Sequence, residues 1–112
     1  MAEVSSGTQR VCFLLHLKPD RVEDYLKAHE HVWPEMLDAL SKAGWHNYSL
    51  FVRADDGLVV GYLETPDFDA AQRAMAATDI NAKWQAGMAQ YFVGGENPGE
   101  TMRPLQLYFH LA

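Results

Sequence analysis

The chain has 112 residues, of which 48% are hydrophobic and 21% charged, enough apolar material for one core and too little length for two. Fifteen Asp and Glu against nine Lys and Arg give a net charge of -6, which excludes a general electrostatic attraction to nucleic acid or to an anionic membrane surface. The longest apolar runs, such as 11–15, span about five residues, well short of the roughly 18 needed to cross a bilayer. The lone Cys12 closes no internal disulfide and builds no cysteine metal site. A cytoplasmic protein with no nucleic-acid and no membrane partner is expected.

Residues 1–9 are small and polar and read as a flexible N-terminal segment ahead of one domain over 10–112. A first strand is expected over 11–17, where Val11, Phe13, Leu15 and Leu17 alternate with Cys12, Leu14 and His16. Beyond Lys18-Pro19-Asp20, the residues Val22, Tyr25, Leu26, His29 and Trp33 recur at spacings of three and four, the stripe of an amphipathic helix. Pro34 suits the first turn of a second helix carrying Met36, Leu37 and Leu40 and ending at Gly44. Two strands, 45–53 and 58–64, flank the hairpin turn Asp55-Asp56-Gly57. A second helix pair is expected to start at Thr65-Pro66 and to restart at Thr78-Asp79, with Ile80, Trp84, Met88 and Tyr91 at helical spacing. A loop holding Gly94, Gly95, Pro98, Gly99 and Pro104 resembles loops that contact partners or substrates, and Leu105, Leu107, Phe109 and Leu111 alternate into a last strand.

The order is strand, helix pair, strand, strand, helix pair, strand. It predicts an α+β, ferredoxin-like split βαβ fold, in which a four-stranded antiparallel sheet carries paired helices on one face. Strands one and four are apolar on both sides, so the bare face calls for a cover. A homodimer packing sheet on sheet, of the dimeric α/β barrel type, supplies one.

Few residues offer chemistry. Tyr25 and His29 lie four apart and share one helix face, where imidazole can exchange a proton near neutral pH and a phenol beside it can orient a hydroxyl. The same spacing is equally satisfied by a core histidine next to an amphipathic filler. His29 and His31 point apart on a helix, and no metal site is expected. In the second strand His46 and Tyr48 should face one way and Asn47 the other. Trp84 suits either core filling or a flat platform for the C–H face of a sugar. There is no nucleotide-binding glycine fingerprint, P-loop or Gly-x-Ser-x-Gly elbow.

The run Tyr25-Leu26-Lys27-Ala28-His29-Glu30-His31-Val32-Trp33-Pro34-Glu35, followed by Gly44-Trp45-His46-Asn47-Tyr48, Thr78-Asp79, Trp84 and Asn97-Pro98, resembles the L-rhamnose mutarotase family over roughly residues 10 to 111. The resemblance implies a cofactor-free homodimer of ferredoxin-like domains that interconverts the α and β anomers of a monosaccharide, L-rhamnose. It implies His29 as proton donor and Tyr25, Tyr48 and Trp84 as sugar contacts. This chain departs from the family pattern at Gln85, where a second Trp is usual, and at Glu30-His31, where Asn-Pro is usual. Gln85 is therefore a further substrate-binding candidate, and it keeps open a mutarotase for another 6-deoxy sugar such as L-fucose. A ferredoxin-like monooxygenase and a non-catalytic sugar-binding dimer are the remaining alternatives.

Overall fold

In a computed structural model, residues 8–95 and 102–112 are described. Eight elements follow in chain order: β1 (Gln9–His16), α1 (Val22–His29), α2 (Pro34–Lys42), β2 (His46–Arg53), β3 (Leu58–Thr65), α3 (Phe68–Ala76), α4 (Asp79–Met88) and β4 (Arg103–Leu105). The sheet order is β2-β3-β1-β4 and all pairings are antiparallel, so the expected ferredoxin-like α+β arrangement is present.

Alternation in the sequence decides which side of the sheet is covered. Val11, Phe13 and Leu15 of β1, Leu17 just beyond it and Val59 and Leu63 of β3 are buried in one core with Val22, Tyr25 and Met36 from the first helix pair and Met75, Trp84 and Met88 from the second. Phe13 is paired with Gly61, and any Cβ at Gly61 would sit 2.2 Å from the tip of the Phe13 ring. The glycine is what lets that ring lie flat across β3.

Several boundaries differ from the sequence expectation for local reasons. The strand starts at Gln9, inside the segment expected to be flexible, because Gln9 pairs with Thr65 and its side-chain oxygen accepts the Phe68 N–H at 2.6 Å; residues 1–7 lie outside the described residues. Helix α1 stops at His29. Trp33 does not continue its stripe but stands as N-cap of α2 in an extended conformation, φ -58 and ψ 134, the conformation that Pro34 imposes on the residue before it. The third helix starts at Phe68 and is capped by Asp67, whose carboxylate accepts the Ala70 N–H at 3.1 Å, rather than starting at Thr65-Pro66, since Thr65 is held in the sheet. The expected cap at Thr78 is present, its hydroxyl accepting the Asn81 N–H at 3.2 Å. Tyr91 falls in a short 3-10 turn, Ala89–Tyr91, after α4 has ended.

The last strand is much shorter than the alternation suggested. Pairing with β1 runs from Leu14 opposite Arg103 to Cys12 opposite Leu105, and residues 106–112 lie in no strand. Leu107, Tyr108, Phe109 and Leu111 are all exposed, Tyr108 at 92%. Part of the expected 94–104 loop, including Asn97 and Pro98, lies outside the described residues.

Candidate active site

Between the sheet and the helices lies a cavity of about 470 Å³, and Tyr25, His29, Tyr48, Trp84 and Gln85 all line it. They arrive from three elements. Tyr25 and His29 sit one turn apart on α1, with ring centroids 4.3 Å apart. Trp84 of α4 presents its ring edge-on to the imidazole at 5.3 Å, and Trp33 at the mouth is in turn edge-on to Trp84 at 5.1 Å. A shallower hollow lined by His29, Val32, Trp33 and Leu37 adjoins this cavity.

Tyr48 reaches the cavity because β2 is irregular. His46 pairs with Glu64 and Ser49 with Tyr62, so three steps along β2 match two along β3. The extra residue is a bulge at Asn47, whose φ is +47, a left-handed conformation that Asn tolerates better than most side chains. It overturns the expectation that His46 and Tyr48 face the same way. Tyr48 points into the cavity, while His46 stays exposed on the Glu64 side of the sheet. Trp45 braces Tyr48, with ring centroids 5.1 Å apart, and is itself anchored by its indole N–H donating to the Ala71 carbonyl at 3.2 Å. His31 is exposed and is not among the residues lining this cavity.

The electrostatics follow from burial. Nδ1 of His29 lies 3.3 Å from the Tyr25 carbonyl oxygen; a carbonyl only accepts, so Nδ1 carries the hydrogen and Nε2 is the nitrogen available to exchange a proton. Burial pulls the His29 pKa below its ordinary value, opposed in part by that carbonyl contact. The Tyr25 phenol is pushed up to about 12 by burial. Tyr48 is pushed up as well, by burial first and by the proximity of Tyr25 second. Both phenols therefore keep their protons at neutral pH and act as hydrogen-bond donors or acceptors, not as phenolates.

Two polar lining residues were not singled out from the sequence, Gln72 of α3 and Asn81 of α4. Each sits at core spacing from its neighbours, Gln72 three before Met75 and Asn81 three before Trp84. An amide interrupting an apolar stripe is the signal that would have found them. Among the described residues, no group of three or more His, Cys, Asp or Glu is placed to hold a metal ion, and no helix is long and apolar enough to cross a membrane.

Known proteins share this architecture. The crystal structure of an L-rhamnose mutarotase from Formosa agariphila superimposes with a TM-score of 0.77 at 23% identity, covering 93% of this chain and 99% of that one. A dimeric ferredoxin-like protein from an uncultured marine organism gives 0.59 at 13% identity over 92% of this chain and 91% of its own. At such identities the likeness concerns the fold. In sequence, the L-rhamnose mutarotase of Lactiplantibacillus plantarum is 39% identical over 98 residues, 88% of this chain and 93% of that protein. The L-rhamnose mutarotase of Oceanobacillus iheyensis is 33% identical over 103 residues, 92% and 98% of the two chains. A family model described as L-rhamnose mutarotase matches residues 10–111, and on this match and these identities the chain belongs to the L-rhamnose mutarotase family and, with it, to the isomerases.

Proposed function

We propose that the chain interconverts the α and β anomers of L-rhamnose, with His29 as the proton donor and Tyr25, Tyr48, Trp84 and Gln85 holding the sugar. The observation that carries this reading is the convergence of those five side chains on one cavity in a chain of this family. Ring opening needs a proton placed on the ring oxygen while the anomeric hydroxyl loses one. The His29 imidazolium gives its Nε2 proton to O5 as the C1–O5 bond breaks, and the O1 proton passes to water as the C1=O1 aldehyde forms. Rotation about C1–C2 then exposes the other carbonyl face. Closure runs the same transfers in reverse, with O5 attacking C1 and the proton returning to Nε2. A positioned imidazole supplies roughly a hundredfold to ten-thousandfold of such transfer, and no step uses a cofactor. Tyr25, raised to about 12, keeps its own proton at neutral pH and has no phenolate to accept another, which favours water as the acceptor of the O1 proton.

Membership of an isomerase family places this reading above the oxygenase alternative. Gln85, half-buried in the cavity wall, is the observation that keeps another 6-deoxy sugar such as L-fucose as the second reading. The same proposal includes a homodimer in the cytoplasm. Its support is the apolar face opposite the helices, where Phe51 is 62% exposed and Leu105 50% exposed, together with the exposed apolar tail after β4. Saturation-transfer NMR between the α and β C1 protons, on L-rhamnose and L-fucose with and without protein, tests the reaction. Accelerated exchange of L-rhamnose is expected. Exchange no faster than in buffer for either sugar would refute the proposal.

A further inference from the structure

Gln72, Asn81 and Gln85 bring amide groups to a cavity whose remaining polar groups are His29, the two tyrosines and two indoles. All three are partly buried, so their amides lose water and need partners in exchange. The Gln72 Nε2 donates to the Met102 Sδ at 3.8 Å, and a thioether is a weaker acceptor than a hydroxyl oxygen. The Gln85 Nε2 donates to the Asn81 Oδ1 at 3.3 Å. Asn81 and Gln85 stand one turn apart on α4, so this bond fixes the direction of the Gln85 amide beside Trp84.

We infer that these residues form a hydroxyl-reading wall, in which Gln72 and Gln85 hydrogen-bond ring hydroxyls of a pyranose and Asn81 is the positioning residue that sets the Gln85 amide. The inference rests on the reading that the cavity holds a sugar. An amide offers both donor and acceptor, as a sugar hydroxyl does, so each pairing can satisfy both groups. A wall of this kind separates sugars by the direction of their hydroxyls, because a misplaced hydroxyl leaves a partly buried amide unpaired. An apolar wall at the same place would read only shape.

The test measures kcat and KM for anomer exchange of L-rhamnose and L-fucose, together with tryptophan-fluorescence titration of each sugar. It compares the wild type with Asn81→Ala, Asn81→Asp and Gln72→Leu. Asn81→Ala should raise KM and Kd for the preferred sugar about tenfold, leave kcat within about twofold, and narrow the difference between the two sugars. Asn81→Asp keeps an acceptor oxygen for the Gln85 amide and should return KM to within about threefold of wild type. Gln72→Leu should raise KM and narrow the same difference, which keeps the test decisive if an Asn81 variant folds poorly. Unchanged KM and unchanged sugar ratios, a loss confined to kcat, or failure of Asp to rescue would each overturn the inference. If the wild type accelerates exchange of neither sugar, the mutarotase reading fails, while the fluorescence titration still reads the wall. If the wild type neither exchanges nor binds either sugar, both fall.

Discussion

Along β3, Val59 and Leu63 are closed off beneath the helices, fully excluded from solvent, while their neighbours Leu58, Val60 and Tyr62 lie half-buried on the other side of the strand. Across the sheet, Val60 is flanked by Phe51 and Leu14, and Tyr62 by Ser49 and Cys12. The covered face builds the core and the cavity. The other face is nearly as apolar at its centre but, among the described residues, contributes nothing to the core. The difference is that the covered face makes the core and the cavity within one chain, whereas the open face is an apolar surface of the kind the proposed homodimer would cover.

The sharpest way to break the comparison is to change adjacent residues that point to opposite sides. Gly61→Val forces atoms into the Phe13 ring, 2.2 Å from the position of a Cβ, and should cost about 3 kcal/mol or more in stability. Thermal unfolding reads this, and a Tm within about 2 °C of wild type would show that the close packing of the covered face is not what holds the fold. Val60→Lys, one residue away, should leave far-UV circular dichroism unchanged and shift the protein from dimer to monomer in sedimentation velocity. A Val60→Lys variant that remains dimeric would remove the open face from the association.

Smaller effects sharpen the covered side. Trp45→Phe removes the hydrogen bond to the Ala71 carbonyl and loosens the wedge that holds Tyr48, with an expected loss of about 1 kcal/mol in chemical denaturation. No loss would mean that the bulge at Asn47 holds Tyr48 without help.

The smallest effect is electrostatic. The His29 pKa is depressed in the folded state, so the unfolded chain binds its proton more readily. The stability tied to neutral His29 is fully present above the unfolded value of about 6.5 and is lost as pH falls through the lower folded value. A His29→Gln variant should therefore lose less stability than wild type between pH 7 and pH 5. Parallel stability curves would contradict the depressed pKa.

Much of this was legible in the sequence because it rests on short-range rules. The pairing of Tyr25 with His29 follows from a four-residue step on a helix, the break at Pro34 from its missing N–H, and the α4 cap from Thr78. Three features were hidden. The orientation of His46 relative to Tyr48 depends on a bulge, and alternation counts presume one-for-one pairing between strands. The end of β4 at Leu105 is set by its long-range pairing with β1, which is absent from the apolar pattern of Leu105, Leu107, Phe109 and Leu111. Gln72 and Asn81 were passed over because an amide within an apolar stripe is a weak signal, and the residues that share the cavity with them come from other parts of the chain. The aromatic and imidazole groups that line the cavity, and Gln85 beside them, were therefore readable from the sequence, whereas Gln72 and Asn81 were not.

The central claim is that His29, on the covered face, moves the proton that opens the sugar ring. Its most direct test is the rate of α to β exchange of L-rhamnose, measured by saturation-transfer NMR for wild type and His29→Ala, with circular dichroism and tryptophan-fluorescence titration of the sugar on both. The His29→Ala protein is expected to stay folded, to bind L-rhamnose and to exchange it roughly a hundredfold or more slowly. A folded, sugar-binding His29→Ala protein that exchanges the anomers as fast as wild type would contradict it.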